Sequence, residues 1–299
     1  MNIGKSVILR MSIIITIFVL CITTFNSYRV NAVENTVTGT TYVVYDAQTG
    51  LYLRNYVLSD VTLAPNSYNQ GNVRASGDWY CEWSNPGVLN IKTLENDIPY
   101  SSTGFVVDEH TIATGAHCVL GKTIFKIYAF NNNSSFSYLT AVEMHIPQPY
   151  VNGNNNYDYA LITVEEDLSD RMQFNIGVAL DEASENEIAV KSTGFPSVVN
   201  NQTVNSSNYH RMYTGEGELL VNNYNPDNYD LSRRLFHSIP HDNGSSGSPI
   251  YYTETFNGNT YYTVIGIDTA HNSAGQLGIA TKITPEILKF YLSNTNLVY

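Results

Sequence analysis

The hydrophobic positions of this chain fall in short runs of β-branched and aromatic residues, and Gly, Asn, Ser, Thr and Asp fill the spaces between the runs. Such runs are typical of β-strands, and their regular separation by turn residues favours antiparallel barrels over alternating strands and helices. We therefore predict an all-β fold with two groups of strands. The groups comprise residues 103–107, 111–116, 123–130, 138–146 and 159–164, and then 189–195, 210–221, 235–238, 249–253, 261–269 and 278–283.

The last hydrophobic run has a different spacing. Thr284 suits the N-cap of a helix, because its side-chain oxygen can accept a hydrogen bond from a backbone N–H of the first turn. Pro285 suits the first helical position, where a backbone N–H would have no partner within the helix. The apolar residues of 287–292 then recur at helical spacing. We predict a C-terminal helix packed against the second group of strands.

The N-terminal segment, residues 1–32, has the form of a secretory signal peptide. Lys5 and Arg10 precede an apolar run at 11–25, which is several residues shorter than the roughly 20 that a membrane-spanning helix needs. We predict a secreted, extracellular protein that makes no stable membrane insertion once the signal is removed. Residues 33–75 are predicted to be a propeptide, and an N-terminal arm packed on the domain is the alternative.

Composition narrows the choice of partners. The 299-residue chain is 43% hydrophobic and 14% charged, which is enough to bury a core, and its net charge is -12. Nucleic-acid binding needs clusters of Lys and Arg that the sequence lacks, so nucleic acid is excluded as a partner. An acidic, solvated surface keeps a secreted protein soluble, and we expect a monomer.

Segment 244–249 contains the most informative chemistry. It reads Gly-Ser-Ser-Gly-Ser-Pro, which predicts a tight turn that lifts the hydroxyl of Ser246 out of the backbone. The N–H groups of Gly244 and Ser246 could then face one point, as a hydrolase requires for the oxyanion that forms when a serine attacks an acyl group. Serine and glycine also cluster in ordinary surface turns, so the motif needs partners elsewhere.

Two upstream segments supply such partners. His117 follows a β-branched strand and small residues, and Asp158 stands between an asparagine-rich loop and an apolar strand. An imidazole can act as general base toward Ser246, and a carboxylate can orient the imidazole. A single histidine or aspartate is more often structural, but the order His, Asp, Ser is one of the known orders of the catalytic triad.

These segments resemble those of trypsin-like serine peptidases of the chymotrypsin fold, and Gly-x-Ser-Gly-Ser-Pro around Ser246 is most similar to the bacterial glutamyl endopeptidase branch. The resemblance implies two antiparallel six-stranded Greek-key barrels at about 76–181 and 182–299. It also implies a serine endopeptidase that acts on polypeptides through an acyl-enzyme, without a cofactor or metal. The alternative is a catalytically inactive binding or adhesion module. An esterase of the usual fold is disfavoured because the strand-turn-helix serine elbow is absent.

The resemblance further implies that His241, Asp268 and His271 lie in the pocket for the side chain preceding the scissile bond. Glutamyl endopeptidases carry a histidine where this chain has Asp268. A carboxylate there favours Arg or Lys, whereas the two histidines would favour an acidic side chain. Asp268 and His241 could instead pair with each other as ordinary structure. All three interpretations stay open at this stage.

Cys81 and Cys118 are the cysteines that remain after signal removal. Two thiols in an oxidising compartment suggest one disulfide, which would tie an early segment to the residue beside His117. Two free buried thiols are the alternative.

Overall fold

The computed structural model describes most of the chain between Gly39 and Thr295. The described residues are 39–59, 80–81, 87–132, 135–179, 188–199, 202–203, 212–220, 229–256, 258–271 and 277–295. The predicted signal peptide, residues 1–32, lies outside the described residues, and so do residues 33–38 and 60–75 of the predicted propeptide.

The structure confirms the all-β class with a C-terminal helix. Its strands are β1 (Gly39–Asp46), β2 (Tyr52–Ser59), β3 (Tyr80–Cys81), β4 (Val88–Glu95), β5 (Ile98–Asp108), β6 (Thr111–Thr114), β7 (Thr123–Asn132), β8 (Ser135–Leu139), β9 (Ala141–Pro147), β10 (Ala160–Val164), β11 (Asn175–Ile176), β12 (Ile188–Gly194), β13 (Val198–Val199), β14 (Gln202–Thr203), β15 (Tyr213–Leu220), β16 (Arg234–His237), β17 (Pro249–Phe256), β18 (Asn259–His271) and β19 (Gly278–Lys282). The helices are α1 (Gln148–Val151) and α2 (Pro285–Asn294), with 3-10 turns at Ala116–Cys118 and Asn155–Tyr157.

The second barrel closes on itself. Its six strands are hydrogen-bonded in the order β18-β17-β12-β15-β16-β19, and β19 pairs back onto β18. Each of these pairings is antiparallel. Closure leaves this ring of strands without an edge, and the apolar side chains inside it form one core, which includes Val190, Leu219, Ile250 and Ile265.

The first half of the domain is a nine-stranded sheet in the order β2-β1-β9-β10-β6-β5-β4-β7-β8. It contains all the strands predicted for the first group, together with β1, β2 and β4, and among the described residues no strand pairing closes it into a barrel. Strand β4 was not predicted, because Asn90 and Lys92 interrupt its apolar pattern; both are buried. The predicted strand at 138–146 divides into β8 and β9 on either side of Thr140.

Residues 39–59 form a hairpin that packs on the domain. Strand β1 pairs with β2 on one side and with β9 on the other. The Tyr42 ring is fully buried and stacks at 4.2 Å on Phe290 of α2, and the Tyr42 hydroxyl lies 3.1 Å from that of Tyr159. This part of segment 33–75 is integrated into the sheet, which favours the packed N-terminal arm over the propeptide, and both alternatives stay predictions.

Helix α2 begins as predicted. The Thr284 hydroxyl accepts a hydrogen bond from the Ile287 N–H at 3.3 Å, and Pro285 occupies the first turn. The helix buries one apolar face, which consists of Ile287, Leu288, Phe290 and Tyr291. Neither helix of the described residues is long and apolar enough to cross a membrane.

Candidate active site

His117 and Asp158 meet because adjacent strands carry them to the same end of the first sheet. Strands β6 and β10 are paired, with Thr114 opposite Ala160. His117 Nδ1 lies 2.9 Å from Asp158 Oδ2, and the His117 backbone N–H donates to Asp158 Oδ1 at 2.9 Å. With Nδ1 as the donor, Nε2 is the ring nitrogen that can accept a proton.

Burial and two neighbours determine the charge state of His117. Burial opposes the imidazolium, yet negative charge on Cys118 Sγ and on the Asp158 carboxylate outweighs burial and raises the pKa of His117 well above its ordinary value. Cys118 Sγ lies 3.5 Å from His117 Nε2. Burial alone would raise the pKa of the Cys118 thiol, but the positive charge of the His117 imidazolium outweighs burial and lowers that pKa. A base with a raised pKa is neutral only over a more alkaline range of pH.

The predicted disulfide between Cys81 and Cys118 is not formed in this structure. Cys118 is a free, buried thiol. The backbone of Cys81 pairs with Tyr213 in the second barrel, whereas Cys118 follows β6 of the first sheet and directs its Sγ toward His117. The structure thus favours the free-thiol alternative for Cys118.

Ser246 lies in the turn between β16 and β17, where two glycines have positive φ. Gly244 has φ +92° and Gly247 has φ +87°, and a Cβ at either position would collide with backbone oxygens. The N–H groups of Ser245 and Gly247 donate to the carbonyl groups of Asp242 and Asp268, at 3.0 and 2.7 Å.

The N–H groups of Gly244 and Ser246 differ from those of their neighbours. Among the described residues, neither has a hydrogen-bond acceptor, although the intervening Ser245 N–H is bonded. Backbone N–H groups inside proteins are nearly always paired, so two unpaired amides in one turn are available to a ligand. These are the two donors that the sequence predicts for an oxyanion hole.

Thr103 of β5 fastens this turn to the first sheet, and sequence reasoning did not single it out. Its hydroxyl donates to the Gly244 carbonyl at 2.8 Å and accepts from the Phe195 N–H at 3.1 Å, and its backbone N–H donates to the Ser246 carbonyl at 2.8 Å. The two halves of the domain therefore meet at the backbone of the candidate nucleophile. Only the long-range contact between β5 and the turn gives Thr103 this role.

Ser246 and His117 line one cavity of about 540 Å³, together with Gly244. Within the described part of the chain, no hydrogen bond joins Ser246 Oγ to His117 Nε2. Hydrogen bonds between a catalytic nucleophile and its base are often long without substrate and tighten when substrate binds. The structure thus brings His117 and Asp158 into direct contact and places Ser246 in the same cavity.

The wall predicted for the substrate side chain contains a buried ion pair. His241 Nδ1 lies 2.7 Å from Asp268 Oδ2, and Asp268 is 1% exposed. Burial opposes both charges, but each partner outweighs it: the carboxylate raises the pKa of His241, and the imidazole lowers the pKa of Asp268. The His271 ring stacks on His241 with 5.4 Å between ring centroids.

A third histidine, His237, completes this wall. Its Nε2 lies 3.4 Å from Asp268 Oδ1, and its ring is fully buried. Gly278 faces it on β19, and a Cβ at that position would overlap the imidazole. Sequence reasoning missed His237 because its pairing with Gly278 is a contact between distant residues. The described residues contain no cluster of three or more His, Cys, Asp or Glu side chains placed to hold a metal ion.

Together, the fold and the site define a class of protein. A closed β-barrel, a partner sheet of similar strands, a His-Asp pair on that sheet and a serine turn on the barrel are the arrangement of chymotrypsin-fold serine proteases. The family model for Trypsin matches residues 84–290, which is more than half of the chain. The chain belongs to the trypsin family.

Solved structures show the same fold at low sequence identity. A Glu endopeptidase in complex with MPD has a TM-score of 0.57 and 16% identity, covering 76% of this chain and 99% of that one. The protease Anisep from Arthrobacter nicotinovorans has a TM-score of 0.54 and 17% identity, covering 73% and 100%. The scabies mite inactivated protease paralogue S-I1 has a TM-score of 0.53 and 13% identity, covering 72% and 97%. Comparison with curated protein sequences finds no match.

Proposed function

We propose that this protein is a secreted serine endopeptidase that hydrolyses peptide bonds through His117, Asp158 and Ser246. One observation carries the proposal: the Asp158-bonded imidazole and the two unpaired amides of Gly244 and Ser246 line the same cavity as the Ser246 hydroxyl. A base, a nucleophile and oxyanion donors are the groups that acyl transfer requires, and no cofactor supplies any of them.

The mechanism follows from this arrangement. Ser246 Oγ attacks the carbonyl carbon of the scissile peptide bond, and its proton moves to His117 Nε2 while the carbonyl oxygen becomes an oxyanion. The Gly244 and Ser246 N–H groups donate to that oxyanion, and Asp158 stabilises the imidazolium. His117 then protonates the leaving nitrogen, which breaks the C–N bond and leaves an acyl-enzyme. A water molecule gives one proton to His117, attacks the ester and releases the acid and Ser246.

For the acyl-side pocket, we propose that the carboxylate of Asp268 is part of the wall and is not presented to substrate. One carboxylate oxygen is 2.7 Å from His241 and the other is 3.4 Å from His237. A buried carboxylate that is already bonded to the His241 imidazole, with a second imidazole beside it, offers little attraction to a lysine or arginine of the substrate. This supports the interpretation of Asp268 and His241 as a structural pair.

A catalytically inactive binding module is the competing function. The scabies mite paralogue shares this fold and is described as inactivated, so fold alone does not decide between the two. The triad positions favour the enzyme, because His117, Asp158 and Ser246 are all present in this sequence.

Casein digestion by purified protein tests the proposal. We expect wild-type protein to release peptides and the variants His117→Ala and Ser246→Ala to lose about 10⁴- to 10⁶-fold in turnover, since triad members act as a unit. His110→Ala is a matched control, because His110 is exposed and, among the described residues, its ring hydrogen-bonds only to the Glu166 carbonyl. Near-normal digestion by either triad variant would refute the assignment, and absence of digestion by wild-type protein would favour the binding module.

A further inference from the structure

We propose that Lys122 is a specificity-determining residue and makes the cleft select an acidic side chain within two residues after the scissile bond. The inference rests on the proposed peptidase function and extends it to the leaving-group side of the substrate. Four observations support it: the position of the cavity next to Ser246, the charge of its lining, the fixed position of Lys122, and an aromatic floor next to the ammonium group.

The cavity next to Ser246 lies on the leaving-group side of the cleft. His117 lines it, and His117 protonates the nitrogen that leaves, so the residues that follow that nitrogen must run beside the imidazole. The residues of the opposite wall, His241, Asp268 and His271, do not line this cavity. Its volume of about 540 Å³ is within the usual range for small-ligand pockets and leaves room for substrate side chains.

The lining of this cavity has positive charge and no carboxylate. It consists of Thr93, Pro99, Tyr100, Ser101, Ser102, His117, Cys118, Lys122, Phe195, Pro196, Ser197, Asn243, Gly244 and Ser246. Lys122 is the one lysine in that set, in a chain whose net charge is -12. A cation in a lining that has no carboxylate attracts an anionic side chain and repels a cationic one.

Lys122 is held in place by the base itself. Its Nζ donates to the His117 carbonyl oxygen at 2.8 Å, and its backbone N–H donates to the Val119 carbonyl at 3.1 Å. An ammonium group has three donors, and the bond to His117 uses one of them. Among the described residues, no carboxylate forms an ion pair with Lys122. Donors therefore remain for a substrate carboxylate.

Tyr100 provides an aromatic floor beside the ammonium group. Lys122 Nζ lies 4.8 Å from the centroid of the Tyr100 ring, which is 42% exposed, and Tyr100 lines the same cavity. The contact with the ring fixes the long lysine side chain, so less conformational freedom is lost when a carboxylate binds. The structure thus offers a preorganised cation on the path of the departing chain.

Cleavage of internally quenched peptides with one scissile bond tests this proposal. The first and the second residue after that bond are varied in turn among Glu, Gln and Lys, and kcat/KM is compared within each enzyme, so that changes in folded fraction cancel. We expect wild-type protein to prefer Glu over Gln by about 5-fold at one of the two positions, the effect of a partly exposed ion pair, and to disfavour Lys. Added salt should weaken the preference.

Variants assign the preference to the residue. Lys122→Gln should bring the Glu-to-Gln ratio close to one, and Lys122→Arg should keep it. Lys126→Gln is the matched control: Lys126 also lies over a tyrosine, at 4.5 Å from the Tyr138 ring, but it does not line the cavity. The control should retain the wild-type ratio.

The outcomes separate the two levels of the proposal. If wild-type protein cleaves these peptides without preference for Glu, or if the preference survives in Lys122→Gln, the role of Lys122 is wrong while the peptidase function stands. If wild-type protein cleaves none of the peptides and no casein, both proposals fall. A salt-independent preference would also contradict an ionic origin.

Discussion

Replacement of Thr103 by valine tests how the two halves of the domain hold the serine turn. Valine keeps the shape of threonine but removes the hydroxyl that donates to the Gly244 carbonyl at 2.8 Å and accepts from the Phe195 N–H at 3.1 Å. Both groups are buried with it. Each of these two buried polar groups costs about 1–3 kcal/mol when it is left without its partner, so we expect the free energy of unfolding to fall by about 2–6 kcal/mol.

The same change should lower activity, because Gly244 supplies one of the proposed oxyanion donors. A displaced donor weakens transition-state binding, and we expect kcat to fall by about 10- to 100-fold. Urea unfolding reports stability, and hydrolysis of a peptide substrate reports kcat. Thr103→Ser keeps the hydroxyl and is the matched control. If the valine and serine variants are equal in stability and in kcat, Thr103 does not support the turn and our interpretation of this contact is refuted.

Three other predictions concern the hairpin, the acyl-side wall and the thiol. Tyr42→Ala should lower the free energy of unfolding by about 3–5 kcal/mol, since the ring is fully buried, and a normal melting temperature would contradict this. N-terminal sequencing of the mature protein should find the hairpin of residues 39–59 retained, and an active form without the hairpin would contradict that expectation. Asp268→Asn should destabilise the fold by about 3 kcal/mol and leave the acyl-side preference unchanged; a lost preference for Arg or Lys in peptide profiling would refute it. Cys118→Ala should shift the acidic limb of the kcat/KM profile to lower pH. The Cys118 thiolate stabilises the His117 imidazolium and so raises the pKa of His117, whereas activity requires the neutral imidazole. An unchanged limb would contradict that cause.

The parts of the fold that the sequence predicts are those with local signals. Short alternating runs with turn residues between them predict most of the barrel strands, and the Thr284 cap predicts the start of α2. Strand β4 was missed because local patterns treat Asn90 and Lys92 as polar positions of a loop, whereas Lys92 Nζ donates to Ser101 Oγ and Ser101 Oγ donates to Asn90 Oδ1 inside the fold. Burial of polar groups depends on partners that are distant in the chain.

In the candidate site, too, residues with a local sequence signal were predicted, and residues that depend on contacts between distant segments were not. His117, Asp158 and Ser246 stand out because their flanking residues form recognisable motifs in one order. Thr103 and His237 have no motif, and their contacts exist only after strands from distant segments pair. The missing disulfide has the same origin, since cysteine count and compartment predict a bond but only the fold decides which thiols can meet.

Labelling with a fluorophosphonate, followed by peptide mapping, tests the central claim that an imidazole and two backbone amides activate Ser246. We predict a single adduct on Ser246 of the folded protein, at least about 10³-fold slower in His117→Ala and absent from urea-unfolded protein. An unlabelled Ser246, or labelling that proceeds equally well without His117, would contradict the account.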